Sequence, residues 1–458
     1  MTDTLNVILA VDKLVDKLFG TGKDGILPWN LKEELNIFKE KTHNSIIIMG
    51  RKTVEKLPKL KNRIIFCISK NYKKLICDYD NIFLFETFEE AYKEANKTNK
   101  KIFIGGGSTL YNYVFKNYKT QIKLHISFLN EEYKCDTYFD INNLEDFYIT
   151  EETVYDNFRH CEMKYYKYGE CQYKNLIKDL LENGERRIGR NGEVISDFCK
   201  HLKFDLRNGF PLLTTKKMFL KGIIEELLMF IRGDTDTKKH LEEKGINIWK
   251  GNTSREFLDS NGFKDREEGE IGKMYGFQWR FFNSEYPLDS SVDSSVDSSI
   301  DQLQYVINEI KTNPTSRRIL LTSYNPSQVN EGVLWPCHSI IIQFYVHEEY
   351  LDMFCYNRSN DNFHGTPFNI ASTSLLLMII AKITKLVPRY VNISQGDSHI
   401  YGQHVESIKL QIDRIPYCFP IIKLPEFNNI EDVEKLTFTD FILENYKYYP
   451  TIKMDMIA

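Results

Sequence analysis

Cys337 is the residue whose neighbours best suit nucleophilic chemistry. It is followed by His338 and an apolar run at 339–346, and neighbouring side chains of an extended segment point to opposite faces. Because His338 is then badly placed to deprotonate Cys337, a Cys–His hydrolase is disfavoured. Arginines could instead stabilise a thiolate, and this part of the chain contains Arg187, Arg317, Arg318 and Arg358. A buried structural cysteine and arginines in surface ion pairs remain the alternative.

Two glutamates fall on otherwise apolar helical faces. Glu34 shares a face with apolar residues within 31–38, and Glu226 shares one with apolar residues within 219–230. A carboxylate in such a place is costly to ionise, so its pKa rises toward values that suit proton transfer. The alternative is a rim glutamate that reaches solvent at position 34, and a core-edge glutamate paired with Arg or Lys at position 226.

Two strand ends offer groups that bind anions. Gly105-Gly106-Gly107-Ser108 follows an apolar run and precedes a helical pattern, for which we predict Ser108 as the N-cap. Arg51-Lys52-Thr53 follows another apolar run and Gly50, which suits a phosphorylated dinucleotide. The glycines do not form G-x-G-x-x-G, so the standard Rossmann fingerprint is absent, and a plain tight turn is the alternative.

The elements that position these residues follow two patterns. Strands separated by helices predict an α/β layer with a largely parallel sheet, with strands at 5–11, 45–49, 63–69, 82–85, 101–104 and 124–128 and helices at 31–42 and 108–115. The alternation at 158–168 indicates an edge strand, and a new helix begins near 172–182. We therefore predict two domains, 1–168 and 169–458.

The amino-acid composition limits the classes of partner that the protein can bind and the cellular compartment that we expect for it. The 458 residues carry 60 Lys and Arg against 64 Asp and Glu, and a net charge of -4 argues against a nucleic-acid partner. The longest apolar run, 375–381, is shorter than the roughly 20 residues of a membrane span, and the first ten residues lack a signal-peptide pattern. Nine cysteines without a Cys-x-x-Cys pair indicate free thiols, no metal site and a cytoplasmic location. We interpret the Asp-Ser-Ser repeat at 289–300 as a solvated loop.

The first domain resembles the dihydrofolate reductase family. The resemblance rests on motifs in the order Ala10-Val11, Gly20-Thr21-Gly22, Leu27-Pro28-Trp29, Met49-Gly50-Arg51-Lys52-Thr53, Pro58-x-Leu60-x-x-Arg63, Ile104-Gly105-Gly106-Gly107 and Asp136-Thr137-x-Phe139. It implies that Glu34 holds the pterin and supports protonation at N5, that Ser127 bonds to Glu34, and that Arg63 binds the glutamyl carboxylate. It further implies an NADPH site formed by Ala10, Gly20, Gly22, Arg51, Lys52, Thr53, Ser69, Lys70, Gly106, Gly107 and Thr109.

The second domain resembles the thymidylate synthase family, which implies an α+β fold. The motifs are Arg187-Ile-Gly-Arg190, Phe210-Pro-Leu-Leu-Thr-Thr-Lys216, Glu225-Glu226, Tyr275-Gly-x-Gln278-Trp279-Arg280, Ser316-Arg317-Arg318, Pro336-Cys337-His338, Arg358-Ser359-x-Asp361, Pro367-Phe-Asn369 and Gly396-Asp397-x-His399-x-Tyr401. The resemblance implies that the Cys337 thiolate attacks C6 of dUMP, which then takes a methylene group from 5,10-methylenetetrahydrofolate. It implies Glu226 as the proton-transfer group and a homodimer in which Arg317 and Arg318 reach the partner's site.

The same resemblance implies the remaining substrate contacts. The 5′-phosphate of dUMP is bound by Arg187, Arg358 and Ser359, the uracil edge by Asn369, and the deoxyribose hydroxyl by His399 and Tyr401. Asp361 and Trp249 contact the folate, His338 belongs to the substrate site, and Arg358 also lowers the pKa of Cys337. Asn357 and Gln403 depart from the family pattern but keep amide chemistry, so we expect tuned rather than lost activity; Lys273 also departs from it.

The fusion of the two domains resembles the bifunctional dihydrofolate reductase–thymidylate synthase family of plants and protists. It implies that one domain methylates dUMP and that the other reduces the dihydrofolate released, with NADPH. Two other hypotheses remain, namely one active domain with the other as a scaffold, and a nucleotide-binding module without catalysis. Glu34 with Arg63, and Cys337 with Arg358, favour two working sites.

Overall fold

The structure is a computed structural model that describes residues 4–70, 80–189, 191–286 and 299–454. It divides into two compact units, of which the first ends at Lys167 and the second begins at Tyr168. This division lies one residue before the boundary placed from the sequence. Each unit contains one of the two groups of candidate residues.

The first unit alternates strands and helices. Its strands are β1 (Leu5–Val11), β2 (Leu18–Gly22), β3 (Ile46–Gly50), β4 (Ile64–Ile68), β5 (Ile82–Phe85), β6 (Ile102–Ile104), β7 (Ile122–Leu129), β8 (Thr137–Asp140), β9 (Phe147–Val154) and β10 (Phe158–Tyr165). Its helices are α1 (Lys32–Lys41), α2 (Arg51–Val54), α3 (Phe88–Ala95) and α4 (Ser108–Tyr118).

Within the described residues, eight of these strands form one sheet in the order β5-β4-β3-β6-β1-β7-β10-β9. The pairs from β5 to β7 are parallel, and β10 is antiparallel to both β7 and β9. β1 and β3 are almost entirely buried apolar runs, as expected for parallel strands covered on both faces. The prediction of a mostly parallel α/β sheet is confirmed.

Two local predictions for this unit are wrong. The strand at the end of the unit is not an edge strand, because β9 pairs with the outer side of β10. β9 escaped the sequence pattern because its second half, Glu151 to Val154, is polar or exposed. Ser108 is the first helical residue of α4 and not its cap, which is Gly107.

The second unit has longer strands and a central buried helix. Its strands are β11 (Glu185–Gly189), β12 (Gly192–Asp205), β13 (Leu320–Thr322), β14 (Ile341–His347), β15 (Tyr350–Asp361), β16 (Val387–Tyr401), β17 (Ile421–Lys423) and β18 (Ile442–Glu444). Its helices are α5 (Cys171–Asn183), α6 (Leu220–Arg232), α7 (Thr237–His240), α8 (Arg255–Ser260), α9 (Gly276–Arg280), α10 (Gln302–Thr312), α11 (Gly365–Thr384), α12 (Val405–Ile412) and α13 (Ile430–Glu434).

The described residues place six of these strands in a mixed sheet of order β11-β12-β16-β15-β14-β13, in which the β15–β16 pair is parallel. Residues of α6 and α11 form a large part of the apolar core of this unit. By length and composition α11 could cross a membrane, but 72% of its apolar window is buried inside the fold. The α+β class predicted for this unit is confirmed.

The structure tests only part of what the sequence predicts for the serine-rich repeat, the cysteines and a metal site. The Asp-Ser-Ser repeat lies outside the described residues except for its last two positions. The eight cysteines within the described chain form no disulfide. Among the described residues, no group of three or more His, Cys, Asp or Glu is arranged to hold a metal ion.

Candidate active sites

Glu34 is a buried carboxylate on the sheet side of α1. Its neighbours Lys32 and Glu33 face solvent, whereas Glu34 is 6% exposed and hydrogen bonds to Ser127 of β7. Ala10 of β1 is paired with Ser127 in the sheet. Burial raises the pKa of Glu34 to about 7, although the Ser127 hydrogen bond acts to lower it. This carboxyl group can therefore hold or release a proton near neutral pH.

Arg63 lies directly before β4 and is anchored to the end of α1. Its Nε donates to Thr42 Oγ1 at 3.2 Å, one terminal nitrogen donates to the Lys39 carbonyl, and the other donates to the Lys61 carbonyl at 2.6 Å. A guanidinium has five N–H donors, so two remain for a ligand carboxylate. Among the described residues Arg63 forms no ion pair.

The carboxyl ends of β4, β3 and β6 lie side by side and bring the predicted anion-binding residues together. The Gly50 amide donates to the Gly106 carbonyl at 2.8 Å, and a Cβ at Gly107 would lie 3.1 Å from Thr53 Oγ1. The glycines thus allow a close approach between α2 and the turn before α4. No side chain within the described residues caps α4, so the amides of its first turn, at Ser108 and Thr109, face the same region.

The charged members of this set lie at its edge. Arg51 begins α2 and pairs with Glu55 at 2.7 Å, while Lys52 is exposed. Ser69 follows β4 and is buried, and Lys70 is exposed next to it. Three cations, of which only Arg51 is paired with a carboxylate in the described chain, lie beside an uncapped helix and three strand ends, and this arrangement suits a phosphorylated dinucleotide.

Gly20 and Gly22 lie in β2, within a loop that two aspartates tie down. The Gly20 amide donates to Asp12, which also accepts from the Tyr133 amide at 3.0 Å, and a Cβ at Gly20 would lie 2.6 Å from Asp12 Oδ2. Asp136 accepts from the Asp24 amide at 2.8 Å. The amide of Gly20 is therefore bonded within the protein, and the structure does not join Gly20 to the strand-end set. Asp12 was not among the predicted site residues, although its position directly after the apolar run of β1 could have identified it as a polar group at a strand end.

Cys337 is in contact with Tyr275, a residue of the Tyr275-Gly-x-Gln278 motif for which no role was predicted. The Tyr275 hydroxyl lies 3.4 Å from Cys337 Sγ and accepts from the Cys337 amide at 3.1 Å. Burial raises the pKa of Cys337, while the Tyr275 hydrogen bond and the positive charge of Arg358 lower it. The expected effect of Arg358 is present, but burial outweighs it, so the pKa of Cys337 lies above its ordinary value and the group is a thiol.

His338 does not act on Cys337. Its ring stacks on Tyr275 with centroids 4.5 Å apart, and its Nδ1 lies 3.1 Å from Ser339 Oγ. Burial lowers its pKa to about 4, so the imidazole is neutral at pH 7. A neutral ring placed here can contact a substrate but is not hydrogen bonded to the thiol, in agreement with the alternation argument.

The end of β15 fixes the loop that carries Cys337. Arg358 Nε donates to the Pro336 carbonyl at 3.2 Å, and the Ser359 amide donates to the Cys337 carbonyl at 3.1 Å. Asn357 Oδ1 accepts from the Ser339 amide at 2.8 Å, so the shorter amide at this departure still binds the loop. One terminal nitrogen of Arg358 also donates to the Trp335 carbonyl at 3.5 Å, and because the side chain is exposed its remaining donors are available to an anion.

Glu226 and Trp249 form a pair in which the indole Nε1 donates to Glu226 Oε1 at 2.8 Å. Burial raises the pKa of Glu226 to about 7, against the lowering effect of this bond. The neighbouring Glu225 instead pairs with Lys244 at 2.5 Å and accepts from the Phe438 amide. Glu225, and not Glu226, is therefore the glutamate paired with a lysine. Glu226 can accept and release a proton near neutral pH.

Asp397 links several predicted dUMP contacts. It pairs with Arg187 of β11 and accepts from His399 Nδ1 at 2.9 Å, and the His399 ring contacts Tyr401 at 5.1 Å. In the β15–β16 pair, Ser359 lies opposite Asp397 and Asp361 lies opposite His399. Asp397 was missed as a functional residue, although it lies two positions from His399 and would share its strand face.

The remaining predicted residues lie apart from these contacts. Asn369 is on the first turns of α11 and half-buried. Arg317 and Arg318 are exposed before β13, and among the described residues their guanidinium groups form no hydrogen bond or ion pair. Lys273, another departure, is 3% exposed with its Nζ 3.0 Å from Glu331.

Comparison with known families assigns a description to each unit. The dihydrofolate reductase family model matches residues 4–173, and the thymidylate synthase family model matches residues 171–458. The two matches together cover the two units and contain both groups of candidate residues.

Whole-chain relatives carry both units in the same order. A bifunctional dihydrofolate reductase-thymidylate synthase of Paramecium tetraurelia is 37% identical over 456 residues, covering 95% of this chain and 96% of the relative. One of Zea mays is 35% identical over 500 residues, covering 95% and 94%. One of Plasmodium chabaudi is 35% identical over 495 residues, covering 90% and 83%.

Proposed function

Because this chain belongs to the bifunctional dihydrofolate reductase–thymidylate synthase family, we propose that the Cys337 site and the Glu34 site carry its two activities. The enzyme methylates dUMP to dTMP with 5,10-methylenetetrahydrofolate, and it reduces the dihydrofolate released to tetrahydrofolate with NADPH. The contact between Cys337 and Tyr275, beside Arg358, is the observation that best supports the synthase site.

In the synthase site, the Cys337 thiolate attacks C6 of dUMP, and the resulting enolate at C5 takes the methylene group of the folate. C5 then loses its proton, the folate donates a hydride that turns the methylene into a methyl group and leaves as dihydrofolate, and the bond between Cys337 and C6 breaks to release dTMP. The Tyr275 hydroxyl holds the sulfur and the backbone of the nucleophile. Glu226, with its pKa near 7, moves protons at the pyrimidine, and Trp249 and Asp361 contact the folate. The phosphate is bound by Arg187, Arg358 and Ser359, the base by Asn369 and His338, and the sugar by His399 and Tyr401.

For Arg187 to bind phosphate, its ion pair with Asp397 must open or rearrange. The side chain of Arg187 is 54% exposed, so the pair is held weakly against a dianionic competitor. Asp397 keeps His399 oriented through the 2.9 Å bond to Nδ1, which leaves Nε2 for the deoxyribose hydroxyl.

In the reductase site, NADPH supplies the hydride that reduces the pterin. The residues present fit this cofactor, because the glycine turn leaves no side chain between Thr53 and the uncapped start of α4. Its phosphates would be held by Arg51, Lys52, Thr53, Ser69, Lys70, Gly106, Gly107 and Thr109, with Ala10 and Gly22 beside the nicotinamide. Glu34 binds the pterin and supports the proton at N5, and Arg63 offers two free donors to the glutamyl carboxylate.

We also propose a homodimer through the six-stranded sheet, in which Arg317 and Arg318 reach the phosphate of the partner's dUMP. One face of β13, β14 and β15 exposes apolar side chains in a single chain, including Leu320, Ile341, Tyr345 and Phe354. Register pairs such as Gln343 with Phe354 place this face in continuous rows. An apolar sheet face of this kind is typical of an interface, and the two unpaired guanidiniums lie at its edge strand.

Mixing two inactive variants tests the dimer. Cys337→Ala lacks the nucleophile, and Arg317→Ala with Arg318→Ala lacks the contributed cations. If the arginines act across subunits, mixed dimers regain one complete site and synthase activity returns. Absence of recovery, with exchange of subunits demonstrated, would show that the arginines act within their own chain.

A coupled assay tests the two activities. We expect dihydrofolate to appear when dUMP and methylenetetrahydrofolate are supplied, and NADPH to be consumed afterwards. Cys337→Ala should stop only the first step and Glu34→Ala should cripple only the second. A synthase site that releases no dihydrofolate, or no NADPH oxidation with dihydrofolate supplied, would reject the corresponding half of the proposal.

We propose a cytoplasmic location, supported by nine cysteines that contain no Cys-x-x-Cys pair and no spacing typical of a disulfide framework. Nucleic acids and membranes are not partners in this proposal. Fractionation of cells that express the tagged full chain tests the location, and recovery in a membrane or organelle fraction would contradict it.

A further inference from the structure

Behind Glu34 a row of polar side chains continues along the sheet to the surface. Ser127 lies directly opposite His160 in the β7–β10 pair, and His125 lies directly opposite Glu162. Directly paired residues share one face of a sheet, as do residues two apart on a strand. Glu34 and Lys41 are seven apart on α1 and contact the two ends of this row, Ser127 and Glu162 respectively.

Ser127 is the link between Glu34 and His160. Its side chain is 1% exposed, it hydrogen bonds to Glu34, and its Oγ lies 3.0 Å from His160 Nδ1. A hydroxyl has one hydrogen to donate and can accept from other donors. An ionised carboxylate only accepts, so Ser127 must donate to Glu34 and accept from His160.

His160 can meet this demand in one tautomer. It is 7% exposed, and burial, reinforced by the charge of Lys41, lowers its pKa to about 4, so the ring is neutral. Its Nε2 is buried without a hydrogen-bond partner in the described chain. A neutral ring with hydrogen on Nδ1 leaves only a lone pair unsatisfied at Nε2, whereas the other tautomer would leave an N–H unsatisfied and would compete for the Ser127 hydrogen.

We propose that His160 is a positioning residue of the reductase reaction, whose Nδ1–H donates to Ser127 Oγ and thereby turns the hydroxyl hydrogen toward Glu34. This inference rests on the proposed role of Glu34. Because one Glu34 oxygen is then always an acceptor of Ser127, the proton of the neutral carboxyl group resides on the other oxygen. His160 therefore decides which Glu34 oxygen exchanges protons with the ligand.

The other charged and titratable groups around the row leave this arrangement intact. Glu162 is neutralised by Lys41 at 2.5 Å and Lys123 at 2.6 Å. His125 stacks near His160 with centroids 6.4 Å apart, and burial lowers its pKa to about 3, so it too is neutral. On α4, Tyr111 donates to the Ile8 carbonyl at 2.7 Å, and burial followed by the charge of Glu34 raises its pKa.

The test uses the full chain and compares three histidine variants. His160→Phe keeps the ring and removes the donor, His160→Asn keeps a donor at the depth of Nδ1, and His125→Phe changes an equally buried histidine that does not contact Ser127. The measurement is the pH dependence of a single turnover of dihydrofolate with NADPH. Synthase activity of the same samples reports that the chain is folded.

We expect His160→Phe to raise the apparent pKa for loss of the reductase rate by about half a unit to one unit, since a weaker Ser127 donor stabilises ionised Glu34 less. His160→Asn should restore the wild-type profile, and His125→Phe should not move it. In a Ser127→Ala background, His160→Phe should add nothing. An unmoved profile in His160→Phe, or an equal shift in His125→Phe, would overturn the proposal.

A direct measurement covers the case in which His160→Phe fails to fold. Nitrogen-15 spectra of the histidine-labelled wild-type chain, assigned with His160→Asn, should show a protonated Nδ1 and an unprotonated Nε2 at residue 160. The opposite tautomer would overturn the proposal. The same series measures NADPH oxidation by the wild-type chain. If the wild-type chain does not oxidise NADPH, the proposed reductase role of Glu34 is rejected. If it does, and the pH profile of His160→Phe is unmoved, only the role of His160 is rejected.

Discussion

Tyr275 contacts Cys337 at two atoms, with its hydroxyl 3.4 Å from Sγ and 3.1 Å from the backbone nitrogen. One hydroxyl therefore holds both the sulfur and the turn that carries it. Tyr275 itself has a backbone φ of 40° and begins the turn into α9, so its ring is fixed by the fold. Its ring also stacks on Phe230 and on His338.

Tyr275→Phe is expected to slow the synthase reaction. The hydroxyl lowers the pKa of Cys337, so its removal raises that pKa further and reduces the thiolate fraction. The loss of one hydrogen bond predicts a decrease in synthase rate of about tenfold. Alkylation of Cys337 followed against pH should show the higher pKa, and the reductase rate should be unchanged. Equal alkylation curves for the two proteins would contradict this role.

Glu34 sets the expected pH dependence of the reductase. Its pKa is raised to about 7 by burial, so the carboxyl group loses its proton as the pH rises through 7. We expect the hydride-transfer rate to fall across that range, and Glu34→Gln to lower the rate at pH 6 by about 100-fold or more and to remove the inflection. An inflection that persists in Glu34→Gln would assign it to another group.

The same substitution is expected to stabilise the fold at high pH. A carboxyl group with a folded pKa above its unfolded value of 4.5 favours folding less as the pH rises between the two values. Glu34→Gln removes this loss and should raise the free energy of unfolding at pH 8 by up to about 3 kcal/mol, with little effect at pH 4.5. Thermal unfolding at the two pH values measures the difference, and equal effects at both would contradict the linkage.

The sequence located groups whose function depends on local spacing. Glu34 was predicted from a helical stripe of apolar residues, and Cys337 was predicted from a short motif. Each of these patterns lies within about ten residues of sequence. The partners that tune them lie far along the chain, since Tyr275 is 62 residues from Cys337 and His160 is 33 residues from Ser127. The Ser127–His160 contact follows from strand register, and the Tyr275–Cys337 contact follows from the packing of a helix start against a loop, neither of which a single sequence specifies.

The two errors of local prediction have different origins. Ser108 was predicted as a cap from residue type, but the chain turns one residue earlier, at Gly107, where the approach of Thr53 leaves little room for a side chain. The strand at 158–168 was predicted at the edge because β9 ends in a polar stretch. The first error therefore reflects packing against a distant segment, and the second reflects a neighbouring strand whose polar half hides the strand pattern.

Glu226→Gln is expected to separate proton transfer from binding in the synthase site. The amide oxygen of Gln can still accept from Trp249 Nε1, so the 2.8 Å contact and the position of the indole should survive. The amide cannot release a proton, whereas the native carboxyl group titrates at about 7. We therefore expect the synthase kcat to fall by about 100-fold or more, while dUMP binding measured by calorimetry stays within about twofold.

Glu225→Gln is the matched control, because the Glu225 carboxylate pairs with Lys244 and accepts from the Phe438 amide. It should lower the stability of the fold rather than kcat. A large loss of dUMP affinity in Glu226→Gln would instead assign this residue to ground-state binding.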